Sequence, residues 1–117
     1  MRRGELWWGD IPKPTGHRPF LILSRDEACQ VRSHITVAPL STRIRGIEAE
    51  VELDVSEGLP KSCIVNLDSI LTIRKASLTR RISLLSPAKI AAVDAAICFA
   101  LSIRPPENRF VANVPIE

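Results

Sequence analysis

Two short stretches hold the side chains best suited to chemistry. The first is the turn Gly16-His17-Arg18-Pro19, where a loop rich in Pro and Gly meets the apolar run 20–23. A loop held by a rigid strand is a favoured place for function. An arginine presents five donors in a fixed fork that fits a phosphate. Arg18 either serves that role or caps a strand and pairs with Glu5 or Asp10. His17 is either an acid or base working near neutral pH or an exposed loop histidine. The second stretch is Pro39-Leu40-Ser41-Thr42-Arg43. Its hydroxyls suit hydrogen bonding to a phosphate or a departing oxygen, and they also suit an ordinary Ser/Thr turn. Arg43 and Arg45, with Lys13 in the earlier loop, are candidates for gripping backbone phosphates. Trp7 and Trp8 fall on opposite faces of one strand. One is expected in the core, and the other stacks a base, fills a subunit interface or joins the core as well.

Other chemistries find no support. The chain lacks a P-loop, a GxGxxG and an HExxH motif. Its three cysteines, Cys29, Cys63 and Cys98, match no CxxC-type spacing and are expected as reduced, mostly buried thiols. His17 and His34 are not at ligand spacing, so no metal site is expected.

The elements that position these residues follow from pattern and punctuation. With 117 residues, 45% of them hydrophobic and 25% charged, the chain fits one globular domain and not a disordered segment. No apolar run reaches the roughly 20 residues of a membrane span. The start holds basic residues without an apolar core, so no signal peptide is read there and a cytoplasmic location is expected. The net charge is +3. Residues 1–45 hold eight Lys/Arg against four Asp/Glu, residues 46–70 one against six, and residues 71–89 five against none. The folded surface is therefore either divided into basic and acidic faces or mixed.

Residues 5–11 read as a first strand, broken by Pro12, Pro14 and Gly16. The run 18–24 reads as a strand covered on both faces. Residues 25–32 allow a short helical turn. Residues 34–38 read as a third strand that Pro39 ends. In 47–53, Ile47, Ala49, Val51 and Leu53 alternate with Glu48, Glu50 and Glu52, the pattern of a half-exposed strand. Short strands are expected at 63–67, 70–73 and 80–85. Ser86-Pro87 is a helix start, and the helix should stop near Ile103 before Pro105-Pro106. Its wide apolar perimeter calls for cover from the sheet and from a second subunit. The sum is a mainly β (α+β) fold, a small curled antiparallel sheet or barrel with a C-terminal helix. Residues 1–103 form the domain and 104–117 a tail without clear period.

Several of these segments together resemble the MazF/PemK toxins. Arg3-Gly4-Glu5-Leu6-Trp7-Trp8 resembles that family's RGE(V/I)WW start. Gly16-His17-Arg18-Pro19 with the apolar run after it resembles its G-x-RP strand. Val37-Ala38-Pro39-Leu40-Ser41-Thr42 resembles its V-P-L-T-S segment. Residues 62–70 resemble its S-x-(V/A)-x-(N/D)-x-(D/Q)-x-I segment. The resemblance implies an SH3-like, CcdB/PemK-type barrel and a homodimer. It implies an endoribonuclease without cofactor or metal, acting on single-stranded RNA and restrained by a cognate antitoxin. It places the family's catalytic Arg on Arg18 and its catalytic Thr on Ser41, with Thr42 as substitute if the loop register shifts by one. Serine keeps the hydroxyl and loses the stiffening methyl. His17 is a candidate proton carrier beside them. Two other readings stay open on the same fold: a gyrase-targeting toxin, and a non-catalytic RNA- or protein-binding module.

Overall fold

The computed structural model describes residues 1–104; the remainder of the expected tail lies outside the described residues. Seven strands and two helices follow in the order β1 (Glu5–Asp10), β2 (His17–Ile22), α1 (Asp26–Val31), β3 (His34–Ser41), β4 (Glu50–Leu53), β5 (Cys63–Asn66), β6 (Leu71–Arg74), β7 (Leu78–Leu84) and α2 (Pro87–Leu101). All strand pairings are antiparallel. The sheet runs β4-β5-β3-β2-β1-β7, with β6 added to the first half of β3. It curls but does not close, since β4 and β7 are its two ends.

β2 lies in the middle of the sheet, and its apolar run is covered on both faces. Phe20 and Ile22 enter one cluster with Ile35, Val37, Ile73 and the α1 residue Cys29. Leu21, the residue between them, enters a second cluster with Leu6, Leu40, Val65 and the α2 residues Val93 and Ala96. A strand alternates its side chains between faces, so a continuous apolar run needs two such clusters. The tryptophans divide in the same way. Trp7 packs on the Phe20 cluster, and Trp8, next along β1, faces elsewhere.

Pro39 does not end β3, contrary to expectation. The strand continues to Ser41, with Pro39 opposite Phe20 in the pairing with β2. Proline lacks the amide donor but keeps its carbonyl, so it is tolerated where the ladder on one side changes partner. β3 does change partner there: residues 34–37 pair with β6, and Leu40 and Ser41 pair with β5. The glutamate-rich strand starts later than its alternation suggested, at Glu50. Ala49, Val51 and Leu53 are buried as expected, but Ile47 stays 42% exposed in the preceding loop. The Glu50 side chain is 2% exposed and turns back onto that loop. Burial raises its pKa, and hydrogen bonds from the Arg45 side chain and the Arg45 and Gly46 backbone N–H groups outweigh that and lower it.

Helix α2 starts as the sequence dictates, with the Ser86 hydroxyl accepting from the Lys89 N–H at 3.2 Å. It ends at Leu101, where Ser102 turns left-handed (φ 56°) and its N–H reaches back to the Phe99 carbonyl. The sheet covers less of it than expected. Only Val93 and Ala96 are fully buried, while Phe99 and Leu101 are 53% and 56% exposed.

One buried charge ties β1 to β7. The Glu5 carboxylate accepts from Trp7 Nε1 at 2.9 Å, from Arg81 Nε at 2.9 Å and from the Arg2 N–H at 3.1 Å. Burial pushes its pKa up, and these donors more than reverse that, so it lies below the ordinary glutamate value. A depressed carboxylate pKa adds stability above the unfolded-state value, and the gain disappears as pH falls through the folded value. Glu5→Gln is therefore expected to cost roughly 1–2 kcal/mol at pH 7, with the gap to the wild-type protein closing below about pH 4. Urea unfolding of both proteins at pH 7 and pH 3 measures this; a gap that widens in acid would contradict it.

Candidate active site

The register of three strands assembles the site. In the β1–β2 hairpin, Asp10 lies opposite His17 and Gly9 opposite Arg18. A side chain is missing at position 9 for good reason: a Cβ there would meet Phe20 Cδ2 and Leu78 Cδ2 at 2.9 Å each. In the β2–β3 pair, Phe20 faces Pro39 and Leu21 faces Ala38. Two more residues of the same register set Arg18 opposite Ser41. In the β3–β5 pair, Ser41 faces Ile64, and one more step sets Thr42 opposite Cys63. Residues distant in sequence thus meet at one end of the sheet.

They line a groove of about 290 Å³. Trp8, His17, Arg18, Ser41 and Thr42 all border it, as does Lys61 from the loop before β5. Arg18 is held by two backbone carbonyls. Its Nε donates to the Thr15 oxygen at 2.6 Å and its Nη1 to the Leu40 oxygen at 3.4 Å. Five donors minus these two leave three N–H groups with no partner among the described residues. The alternative of an Arg18 pair with Glu5 or Asp10 is not realised. Glu5 binds Arg81, and Asp10 binds His17. The Ser41 hydroxyl oxygen accepts from the Arg43 N–H at 3.1 Å, which orients it and leaves its hydrogen to donate.

His17 is held from two sides. Its ring stacks on Trp8, with centroids 5.0 Å apart and planes within 5°. Its Nδ1 lies 2.6 Å from Asp10 Oδ1. Cys63, also on the groove wall, is 5% exposed; burial and the nearby Glu57 charge push its thiol pKa up, so it stays protonated.

Four of the expected RNA-contacting residues lie off this groove. Trp7 is partly buried against the core and joins the Glu5 network. Arg45 is paired with Glu50 at 2.7 Å. Arg43 and Lys13 are exposed on the loops at either side. The sequence singles out neither Lys61 nor Asp10 as a site residue. Lys61 sits between Pro60 and Ser62 in no motif, and only the β4–β5 connection brings it to the groove. Asp10 could have been found by counting across the hairpin to His17. Among the described residues, no three His, Cys, Asp or Glu side chains are grouped so as to hold a metal, and no helix is long and apolar enough to cross a membrane.

Comparison with known proteins bears on the whole domain. The family described as PemK-like, MazF-like toxin of type II toxin-antitoxin system matches residues 2–101. The chain belongs to the PemK/MazF toxin family. Within it, the chain is 41% identical over 91 residues to the protein named probable endoribonuclease MazF2 of Mycobacterium tuberculosis, covering 77% of this chain and 87% of that one. The solved structure of Mycobacterium tuberculosis toxin MazF-mt6 superposes with a TM-score of 0.80 at 30% identity, covering 86% of this chain and 99% of that one. A mycobacterial endoribonuclease solved in complex with its cognate antitoxin gives a TM-score of 0.80 at 26% identity, covering 91% and 99%. The family match spans all seven strands and both α-helices. The Arg18–Ser41 groove lies within the span that the family match covers.

Proposed function

We propose that this PemK/MazF toxin is an endoribonuclease that cuts single-stranded RNA at particular short sequences without a metal cofactor. The observation that carries this reading is the convergence of Arg18 and Ser41 on one groove beside an aromatic wall. In the reaction, the 2′-hydroxyl of the RNA attacks the adjacent phosphorus and the bond to the 5′ oxygen breaks. The products are a 2′,3′-cyclic phosphate and a 5′-hydroxyl. The protein must hold these atoms in line and offset the growing negative charge. The three unoccupied N–H groups of Arg18 clamp the phosphate. The Ser41 O–H donates to a non-bridging or departing oxygen, and Thr42 stands next to it on the same wall. Trp8 packs against an unpaired base. Arg43, Arg45 and Lys13 attract the strand on either side, and Trp7 supports β1 from the core.

The active unit is residues 1–103, acting in the cytoplasm as a homodimer in which the exposed Phe99 and Leu101 of α2 meet a second copy. A cognate antitoxin restrains it by occupying the groove. The test is incubation of the purified protein with a mixed RNA pool in the presence of a chelator, followed by end mapping. Cleavage at recurrent sequences with cyclic-phosphate ends is the expected result. Binding without cleavage would mean a non-catalytic module. Neither binding nor cleavage, with inhibition of gyrase, would mean the other toxin class.

The two hydroxyls can be told apart. Ser41→Ala is expected to lower the cleavage rate by about 10–100-fold, because a donor aimed at developing charge is lost. Ser41→Thr should stay within a few-fold of wild type and Thr42→Ala likewise. Single-turnover rates on one cleaved sequence measure all three. A larger loss in Thr42→Ala than in Ser41→Ala would transfer the role to Thr42.

A further inference from the structure

We infer that Asp10 and His17 form a carboxylate–imidazole pair that acts as the general base for RNA cleavage, with His17 as the catalytic residue and Asp10 as its positioning residue. This rests on the ribonuclease reading above. Attack by a 2′-hydroxyl requires a group that removes its proton. The side chains bordering the groove leave one candidate. Arg18 and Lys61 are cations with no lone pair to offer. Ser41 and Thr42 carry protons of their own, and the buried Cys63 keeps its proton as well. The other residues on the wall are apolar or, like Trp8, donor-only. His17 alone has a nitrogen lone pair.

The geometry fixes which nitrogen carries it. An ionised carboxylate only accepts, so the 2.6 Å contact with Asp10 Oδ1 places the hydrogen on Nδ1. Nε2 is left as the lone-pair end. Trp8 lies flat against the ring, so rotation out of plane is blocked from that side. The tautomer and the ring orientation are thus both set before RNA arrives, the logic by which a carboxylate directs a histidine base elsewhere.

In the step itself, His17 Nε2 takes the 2′-hydroxyl proton, the 2′ oxygen bonds to phosphorus, and the phosphorus–5′ oxygen bond breaks. The departing oxygen takes a proton from water, and His17 then returns its own to solvent. As the imidazole becomes cationic, the Asp10 charge stabilises it. The other charged side chains bordering the groove are Arg18, beside His17 on β2, and Lys61, before β5. Asp10 is the charged group in direct contact with the ring.

The side chains of His17 and Asp10 are 60% and 62% exposed, so substitutions there leave the fold intact. The experiment compares single-turnover cleavage, across pH 5–9, of an oligoribonucleotide chosen from the mapped pool. Binding of the same oligomer with a 2′-deoxy residue at the cut site is measured in parallel. His17→Phe, which keeps the stack on Trp8, should lose about 10²–10⁴-fold in rate with binding within about two-fold. Asp10→Asn should lose about 10–100-fold, again in rate and not in binding, with the acid limb of the pH profile displaced. Added imidazole should restore part of the activity of His17→Gly. A His17→Phe protein that cleaves at the wild-type rate would overturn the pair while leaving the Arg18–Ser41 reading intact. So would an Asp10→Asn protein with an unchanged profile. A wild-type protein that cleaves no RNA in the pool would remove both.

Discussion

Arg18→Ala is expected to leave intact an RNA that the wild-type protein cuts to completion, with the rate lowered by at least about 10²–10³-fold. The reason is the number of tasks that meet on one guanidinium. Its Nε and Nη1 are bound to the Thr15 and Leu40 carbonyls, so the group reaches the groove already oriented. In the proposed mechanism the remaining N–H groups meet the phosphate at the moment its charge grows. Lysine would keep the charge but not the fork, so Arg18→Lys should recover little. The substitution leaves the core untouched, and a thermal scan should place the variant within a few degrees of wild type. In cells, induced wild-type protein should arrest growth and Arg18→Ala should not. Cleavage by a folded Arg18→Ala protein at near the wild-type rate would remove Arg18 from the mechanism.

Phe20→Ala is expected to cost about 3–5 kcal/mol of folding stability. Phe20 is fully buried, faces Trp7 on one neighbouring strand and Pro39 on the other, and fills the space that Gly9 leaves open. A small domain has roughly 5–15 kcal/mol in all, so much of its margin would go. Denaturant unfolding should show the midpoint falling steeply, and purified protein should lose activity on mild warming. Phe20→Leu should retain well over half of the lost stability because it refills most of the cavity. A change below about 1 kcal/mol in Phe20→Ala would show that the two strands can close over the gap.

Much of this molecule is legible in its sequence, and the reasons differ by element. The doubly covered strand is written in its four apolar residues, 20–23, because two buried faces leave no polar position there. The start of α2 is fixed locally by Ser86 and Pro87. Its end is less legible: Pro105-Pro106 sets an outer limit, but the left-handed turn at Ser102 has no glycine to announce it. Pro39 misleads, since a proline in a strand depends on which partner the strand has at that point. The catalytic candidates are readable as residue types, yet their meeting depends on register. Arg18 and Ser41 are separated by 23 positions, and the β2–β3 pairing that sets Phe20 opposite Pro39 brings them together. Lys61 was invisible because its loop has no pattern; it reaches the groove through pairings made by β4 and β5 on either side of it.

Arg18 and Ser41 are each carried by a strand, whereas Lys61 and Thr42 are carried by the loops beside them. This separates two kinds of heritable change. The loops at 11–16, 42–49 and 54–62 can change side chains and charge without displacing the proposed bond-breaking pair, as long as the Thr15 carbonyl and the Arg43 N–H keep their places. A lineage of such proteins can therefore diversify in which message it reads while the cut itself is inherited unaltered. An antitoxin that recognises the variable loops would have to diverge in step with them, so mismatched pairs should arise by loop exchange alone.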